Sequence, residues 1–261
     1  MSKYYDSDKY YSYHTQKHYS SIRNLVHRLV FKAYSLGLLS RSARYLRTFK
    51  KYSILHILKR LRKDTAILDI GCGDGNLIQE MSIWGWRDLT GIDPFIEKGI
   101  LSHTGWKVLK QNIFEHSGKY DFIMLHHSLE HLDNQHEVFK KLYELLADDG
   151  MLYIRVPLCD SFAFRKYGSD WFQIDAPRHF FLHTIKSMTL LAESHGFQIK
   201  DIFYDSSAAQ FINSEKYNMN VPLFLKTKKR ATKKLDKLAN VLNLMHDGDM
   251  ACFLMTKKYA K

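Results

Sequence analysis

The sequence predicts an α/β fold built on a parallel sheet covered on both faces. Three observations carry this expectation: seven β-rich runs recur after residue 64, helical stretches separate most of them, and the first run opens straight into a glycine-rich turn followed by a helix. The runs are 66-AILDI-70, 88-DLTGI-92, 106-WKVL-109, 120-YDFIMLH-126, 150-GMLYIRVP-157, 197-FQIKDIFYD-205 and 250-MACFLMTKK-258. Helices are expected at 76–85, 95–102, 134–147 and 184–195. The third turns Val138, Leu142, Leu145 and Leu146 inward, and the last ends at Gly196 as a C-cap.

Ahead of the sheet, residues 22–34 place Ile22, Leu25, Val26, Leu29, Val30 and Ala33 at helical spacing, and these are expected to face inward. A second helix is expected over 43–62, with Leu46, Phe49, Ile54, Leu55, Leu58 and Leu61 inward and Gly37 and Ser40 marking the break. The Tyr-rich start, 4-YYDSDKYYSYHTQKHY-19, reads as an ordered cap that could bring Tyr11, Tyr13 and His14 to a substrate. Residues 1–64 therefore form a basic, Tyr-rich helical extension, and residues 65–261 the main domain. Within the latter, 158–183 is a loop-rich lid and 208–248 a basic helical insertion.

Composition narrows the class. At 261 residues and 45% hydrophobic content the chain can bury a core. With 13 Gly and 4 Pro it is neither collagen-like nor a Pro-rich disordered chain. No apolar run approaches the roughly 18–20 residues that span a bilayer, and the polar N-terminus lacks a signal peptide's apolar stretch. Cys72, Cys159 and Cys252 are odd in number and far apart, which fits a reducing, cytoplasmic setting. The net charge of +12 is concentrated: residues 1–64 hold 15 Lys+Arg against 3 Asp+Glu, and Lys226–Lys237 holds seven cations and one anion. Such segments suit nucleic acid, an anionic membrane surface, a phosphorylated substrate, or simply solvent.

The sharpest signal is 66-AILDIGCGDGN-76. Glycines are needed where the backbone turns sharply and a ligand approaches closely. A dinucleotide fingerprint reads G-x-G-x-x-G; here Gly71, Gly73 and Gly75 give G-x-G-x-G. Asp69, two residues before the first glycine, opposes a pyrophosphate and suits an ammonium group. Asp93, at the end of 91-GIDP-94, lies about 20 residues on, where a carboxylate holds a ribose diol.

LDIGCGDG and GIDP together resemble the first and second motifs of class I S-adenosylmethionine-dependent methyltransferases. The resemblance extends from Leu68 to the C-terminal strand. The stretches 170-DWFQIDAPRHFFLHT-184 and 247-DGDMACFLMTKK-258 are similar to a bacterial branch associated with polysaccharide and cell-surface sugar biosynthesis, and distantly to quinone-pathway O-methyltransferases. It implies a Rossmann-like, doubly wound, seven-stranded, mostly parallel sheet with an antiparallel C-terminal strand. It implies S-adenosylmethionine as cofactor, with Gly71, Cys72, Gly73 and Gly75 under its methionine part, Asp69 on the amino group and Asp93 on the ribose hydroxyls. Asn112, with Ile113, matches the adenine-contact position, where the family commonly has Asp. His126 would lie near the methionine end.

An alcohol acceptor needs a base. His127 is the first candidate and His179 the second. Asp175, Arg178 and His183 share a segment with Trp171, Phe172, Phe180 and Phe181, and are expected to meet substrate. The string 127-HSLEH-131 fits H-x-x-E-H, a zinc-hydrolase pattern, but no distant third ligand is evident and no metal is expected. The leading reading is methyl transfer to a hydroxyl of a sugar, nucleotide-sugar or lipid-linked glycan, with peripheral membrane contact an option. The alternatives are an RNA or protein methyltransferase using the basic arms, or a non-catalytic cofactor-binding scaffold. Nucleic acid is less favoured because His126-His127-Ser128-Leu129 stands where enzymes acting on the exocyclic amines of bases carry a Pro-Pro-Tyr type of motif.

Overall fold

The computed structural model describes residues 21–38, 54–225 and 227–258. The Tyr-rich start and most of the 43–62 helix lie outside these. The strands are β1 (Ile67–Ile70), β2 (Leu89–Ile92), β3 (Ile100–Leu101), β4 (Lys107–Leu109), β5 (Tyr120–His126), β6 (Leu146–Pro157), β7 (Phe197–Tyr204) and β8 (Met250–Lys257). The helices are α1 (Ser21–Ser35), α2 (Leu55–Leu58), α3 (Asn76–Ile83), α4 (Gln135–Leu145), α5 (Phe162–Tyr167), α6 (Ile185–Ser194), α7 (Ala209–Asn218) and α8 (Lys229–Leu244). The sheet order is β3-β4-β2-β1-β5-β6-β8-β7. β1, β2 and β4 run parallel, and β8 is antiparallel to both β6 and β7. The order reverses direction at β1, the doubly wound arrangement expected of a Rossmann-like fold.

The chain forms two compact units, Ser2–Phe122 and Ile123–Lys261. In the first, β1 and β2 are buried along their whole length, as suits parallel strands covered on both faces. An eighth strand, β3, stands where a helix over 95–102 is expected. Pro94 precedes that stretch and Gly99 interrupts it, and an added Cβ at Gly99 would sit 3.0 Å from the Val108 carbonyl oxygen. The chain thus passes too close to β4 for a helix and adds an antiparallel edge pair instead.

α1 is a helix as expected, but it is rolled. Leu25 and Leu29 are 57% and 56% exposed, and the buried residues are His27, Phe31 and Tyr34. Phe31 stacks on Trp84 at 4.9 Å and meets Trp86 edge-on at 5.4 Å. Lys63 Nζ caps this group 3.1 Å from the Trp86 ring centroid, and burial lowers its pKa to about 8. Aromatic rings bury more area than leucines and add their own ring-pairing energy, so the aromatic stripe faces inward in place of the aliphatic one. Ile54, Leu55 and Leu58 are buried as expected.

In the second unit, α4 buries Val138, Phe139, Leu142 and Leu145. Thr184 caps α6 in a reciprocal pair with Ser187, and Gly196, at φ 78°, ends it. The 158–183 stretch is more ordered than a loop. It contains α5, capped by Ser161, and short 3-10 turns at Gly168–Asp170 and Phe172–Ile174. Trp171 is buried there and donates from Nε1 to Asp249 at 3.0 Å, so it is a structural residue. Within 208–248, α8 packs Ala239 and Leu242 on Phe211. Among the described residues, no helix is long and apolar enough to cross a membrane.

Replacing Phe31 with Ala should cost about 3–5 kcal/mol, as for other buried aromatics. Leu29→Ala should stay within about 0.5 kcal/mol. Urea unfolding followed by tryptophan fluorescence would show the difference, and equal effects would contradict the rolled helix.

Candidate active site

The first unit carries a glycine cradle at the carboxyl end of β1. Gly71, Gly73 and Gly75 all have positive φ (75°, 52° and 73°), which other residues adopt only with strain. Gly71 N–H donates to Ile92 O at 2.9 Å and closes the turn on β2. Gly75 begins α3 in the left-handed conformation, and a Cβ there would overlap the Val108 side chain. Cys72 packs its sulfur where a Cβ on Gly91 would come within 2.6 Å. Burial, with Asp69 and Asp93 adding to it, pushes the Cys72 thiol well up, so it is an inert packing group.

Two acids frame this turn. Asp69 is buried inside β1, and burial together with the Asp93 charge raises its pKa to about 7. Asp93 follows β2 and accepts from Gly73 N–H and Phe95 N–H, each at 2.9 Å. Burial raises its pKa, against those two hydrogen bonds. A carboxylate offers about four lone-pair sites, so two hydroxyls can still be accepted after both backbone donors. A buried acid lifted by its surroundings also gains from a neighbouring cation. The donor set therefore fits a ligand carrying an ammonium group and a vicinal diol, as S-adenosylmethionine does.

Asn112 follows β4 and caps the 3-10 turn Ile113–Glu115. Its Oδ1 accepts from Phe114 N–H at 3.1 Å, and Glu115 reciprocates on its backbone N–H. An amide caps as well as Asp does, and its NH2 group stays available as a donor. Ile113 is buried beside it.

The second unit carries a histidine cluster. His126 ends β5, and burial, then Arg155, holds its imidazole well below the usual range. His127 follows with φ 59°, a left-handed conformation costly for a non-glycine residue. Its N–H donates to Arg155 O at 3.0 Å, and its Nδ1 lies 3.4 Å from Glu130 Oε1. Burial, then Arg155, keeps its ring neutral, the state a base requires.

His179 is held by Gln173 O at 2.7 Å from Nδ1, and its ring meets that of His131 edge-on at 4.6 Å. His131 Nδ1 bonds to Arg178 O at 3.1 Å. Arg178 is forked onto Asp175, itself at φ 39°, so the pair holds the segment in shape. His183 is buried, with Nδ1 3.4 Å from Ser187 Oγ. Burial lowers it to about 4, with Glu130 opposing. His127, His179, Asp175, Arg178 and His183 all lie in this unit, and Glu130, fully buried, has His127, His131 and His179 close to it. Sequence reading misses Arg155 and Asp205, whose partly buried ion pair is 2.7 Å long. Neither carries a local motif; they meet only because β7 and β6 both flank β8.

A family model described as "Methyltransferase domain" matches residues 42–202. A ubiquinone biosynthesis O-methyltransferase of Glaesserella parasuis serovar 5 (strain SH0165) is 31% identical over 103 residues, covering 34% of this chain and 43% of that relative. The chain thus spans less than half the length of this relative. A SAM-dependent methyltransferase from Archaeoglobus fulgidus superposes with TM-score 0.52 at 17% identity, covering 88% of this chain and 99% of that one, and shares the fold. The chain belongs to the methyltransferase-domain family, whose model covers residues 42–202.

Proposed function

We propose that the protein transfers a methyl group from S-adenosylmethionine to a hydroxyl of a small-molecule acceptor: a sugar, nucleotide-sugar or lipid-linked glycan. The observation that carries the cofactor assignment is the buried Asp69–Asp93 pair beside three positive-φ glycines. Asp69 takes the amino group, Asp93 the ribose hydroxyls, Gly71 to Gly75 the methionine part with Cys72 as packing, and Asn112 and Ile113 the adenine. His126 is assigned to the methionine end by the motif resemblance. When bound, the cofactor supplies an electrophilic methyl on a sulfonium.

The remaining work falls to the protein's own groups. His127, neutral and strained, takes the hydroxyl proton on Nε2 while Glu130 orients Nδ1. His179 is the second candidate for this role. His183 and the Asp175–Arg178 pair shape the acceptor pocket, and the exposed rings of Phe180 and Phe181 offer faces on which a sugar can stack. The O-methyltransferase relative supports an oxygen acceptor. Sugar chemistry rests on the motif resemblance, and a cytoplasmic site on the odd number and wide spacing of Cys72, Cys159 and Cys252. The cations of α8 suit a phosphorylated or membrane-borne acceptor, through peripheral contact.

Incubating the protein with methyl-labelled S-adenosylmethionine and a bacterial lysate tests the acceptor class. Label should appear in the lipid or small polar fraction; label in RNA or protein would overturn it. Asp93→Ala should abolish measurable cofactor binding at micromolar concentrations while the melting curve is kept, and unchanged affinity would mean the cradle is misassigned. His127→Ala and His179→Ala should both retain cofactor affinity. At least one should lower kcat by about 10²-fold or more. If neither does, positioning alone drives the transfer.

A further inference from the structure

Within the H-x-x-E-H string Glu130 and His131 are adjacent, and the fold brings His179 to them. Glu130, His131 and His179 each present a ligand atom, all within 4.8 Å of one another. His131 lies in the 3-10 turn after β5, whereas His179 comes from the far end of the ordered 158–183 stretch. Phe180 N–H donates to Glu130 O at 2.9 Å and pins the two segments together. Glu130 is fully buried, and neither carboxylate oxygen receives a hydrogen bond among the described residues; His127 Nδ1 lies 3.4 Å from Oε1. A buried carboxylate in that state is costly unless a cation accompanies it. Both histidines are bound through Nδ1 to a backbone carbonyl, His131 to Arg178 O and His179 to Gln173 O. Nδ1 donation to a carbonyl puts the lone pair on Nε2 and is the outer-shell arrangement that orients metal-ligating imidazoles.

We infer that Glu130, His131 and His179 form a site for a divalent first-row transition metal. Two imidazoles and one carboxylate are the donor set of catalytic zinc sites and of facial-triad metals, and they disfavour magnesium or calcium, which take oxygen ligands. Three protein ligands leave a coordination position open. His127 and His183, residues assigned to the acceptor, lie near the same carboxylate. This last point alone rests on the methyl-transfer reading; the site itself does not. A bound metal makes His179 a ligand and leaves His127 as the base.

The test uses the full, untagged chain, stripped with chelator and titrated with Co(II) and Zn(II). One equivalent of Co(II) should bind with visible d–d absorption that Zn(II) displaces. Glu130→Gln and His179→Ala should each weaken binding by at least about tenfold. His136→Ala, outside the cluster, should bind as the parent does. Melting curves identify any variant that fails to fold, and His131→Ala then takes its place. S-adenosylmethionine affinity is measured on the same samples. Asp93→Ala should lose the cofactor and keep the metal, so failure of the cradle and failure of the metal site are told apart. Absence of stoichiometric binding, or binding that survives both Glu130→Gln and His179→Ala, would overturn the inference.

Discussion

Two acids share one buried turn, and much of the first unit is arranged to make that tolerable. Asp69 lies inside β1 with burial and Asp93 both opposing its ionisation. Asp93 is held by backbone N–H groups of Gly73 and Phe95. Each feature demands the next. The donor from Gly73 requires the left-handed turn, the turn requires glycines, and Gly75 then opens α3 against Val108. Cys72 fills the space that the absence of a side chain at Gly91 leaves. A carboxylate pair kept this close and this dry is a poor device for stability, because burial opposes its charge. It suits a cationic ligand that completes the site, which is the property used for the proposed function.

The second unit shows the same economy around Glu130. His127, itself left-handed, stands with His131 and His179 near a carboxylate that has no hydrogen bond of its own among the described residues. Strain of this kind persists only where surrounding structure holds it. Here the His127 N–H bond to Arg155 O does so, backed by the Arg155–Asp205 pair.

The cofactor cradle was legible in the sequence because its parts are local: a strand, a turn with glycines at fixed spacing, and an acid at the end of the next strand. Strand positions were legible for the same reason. Three features were not. The 95–102 stretch has helical composition, but close passage against β4 excludes a helix. The inward face of α1 was misread because Leu25 and Leu29 match the helical period as well as Phe31 and Tyr34 do; the choice is made by Trp84 and Trp86, fifty residues away. The grouping of His131 with His179 depends on how the 158–183 stretch folds back, which no spacing rule encodes.

The central claim is that Asp69 awaits a cation. At pH 6.5 its carboxyl, with a pKa of about 7, is mostly protonated in the free protein. A cofactor ammonium beside it would favour the charged form and expel the proton. Calorimetry of S-adenosylmethionine binding at pH 6.5, in buffers of different ionisation enthalpy, counts that proton directly. The account predicts release of between about half and one proton per cofactor bound, affinity that tightens as pH rises from about 6 to about 7, below the range where the cofactor's own ammonium loses its proton, and loss of both effects in Asp69→Asn. Binding without proton release, or with the same release in Asp69→Asn, would contradict it.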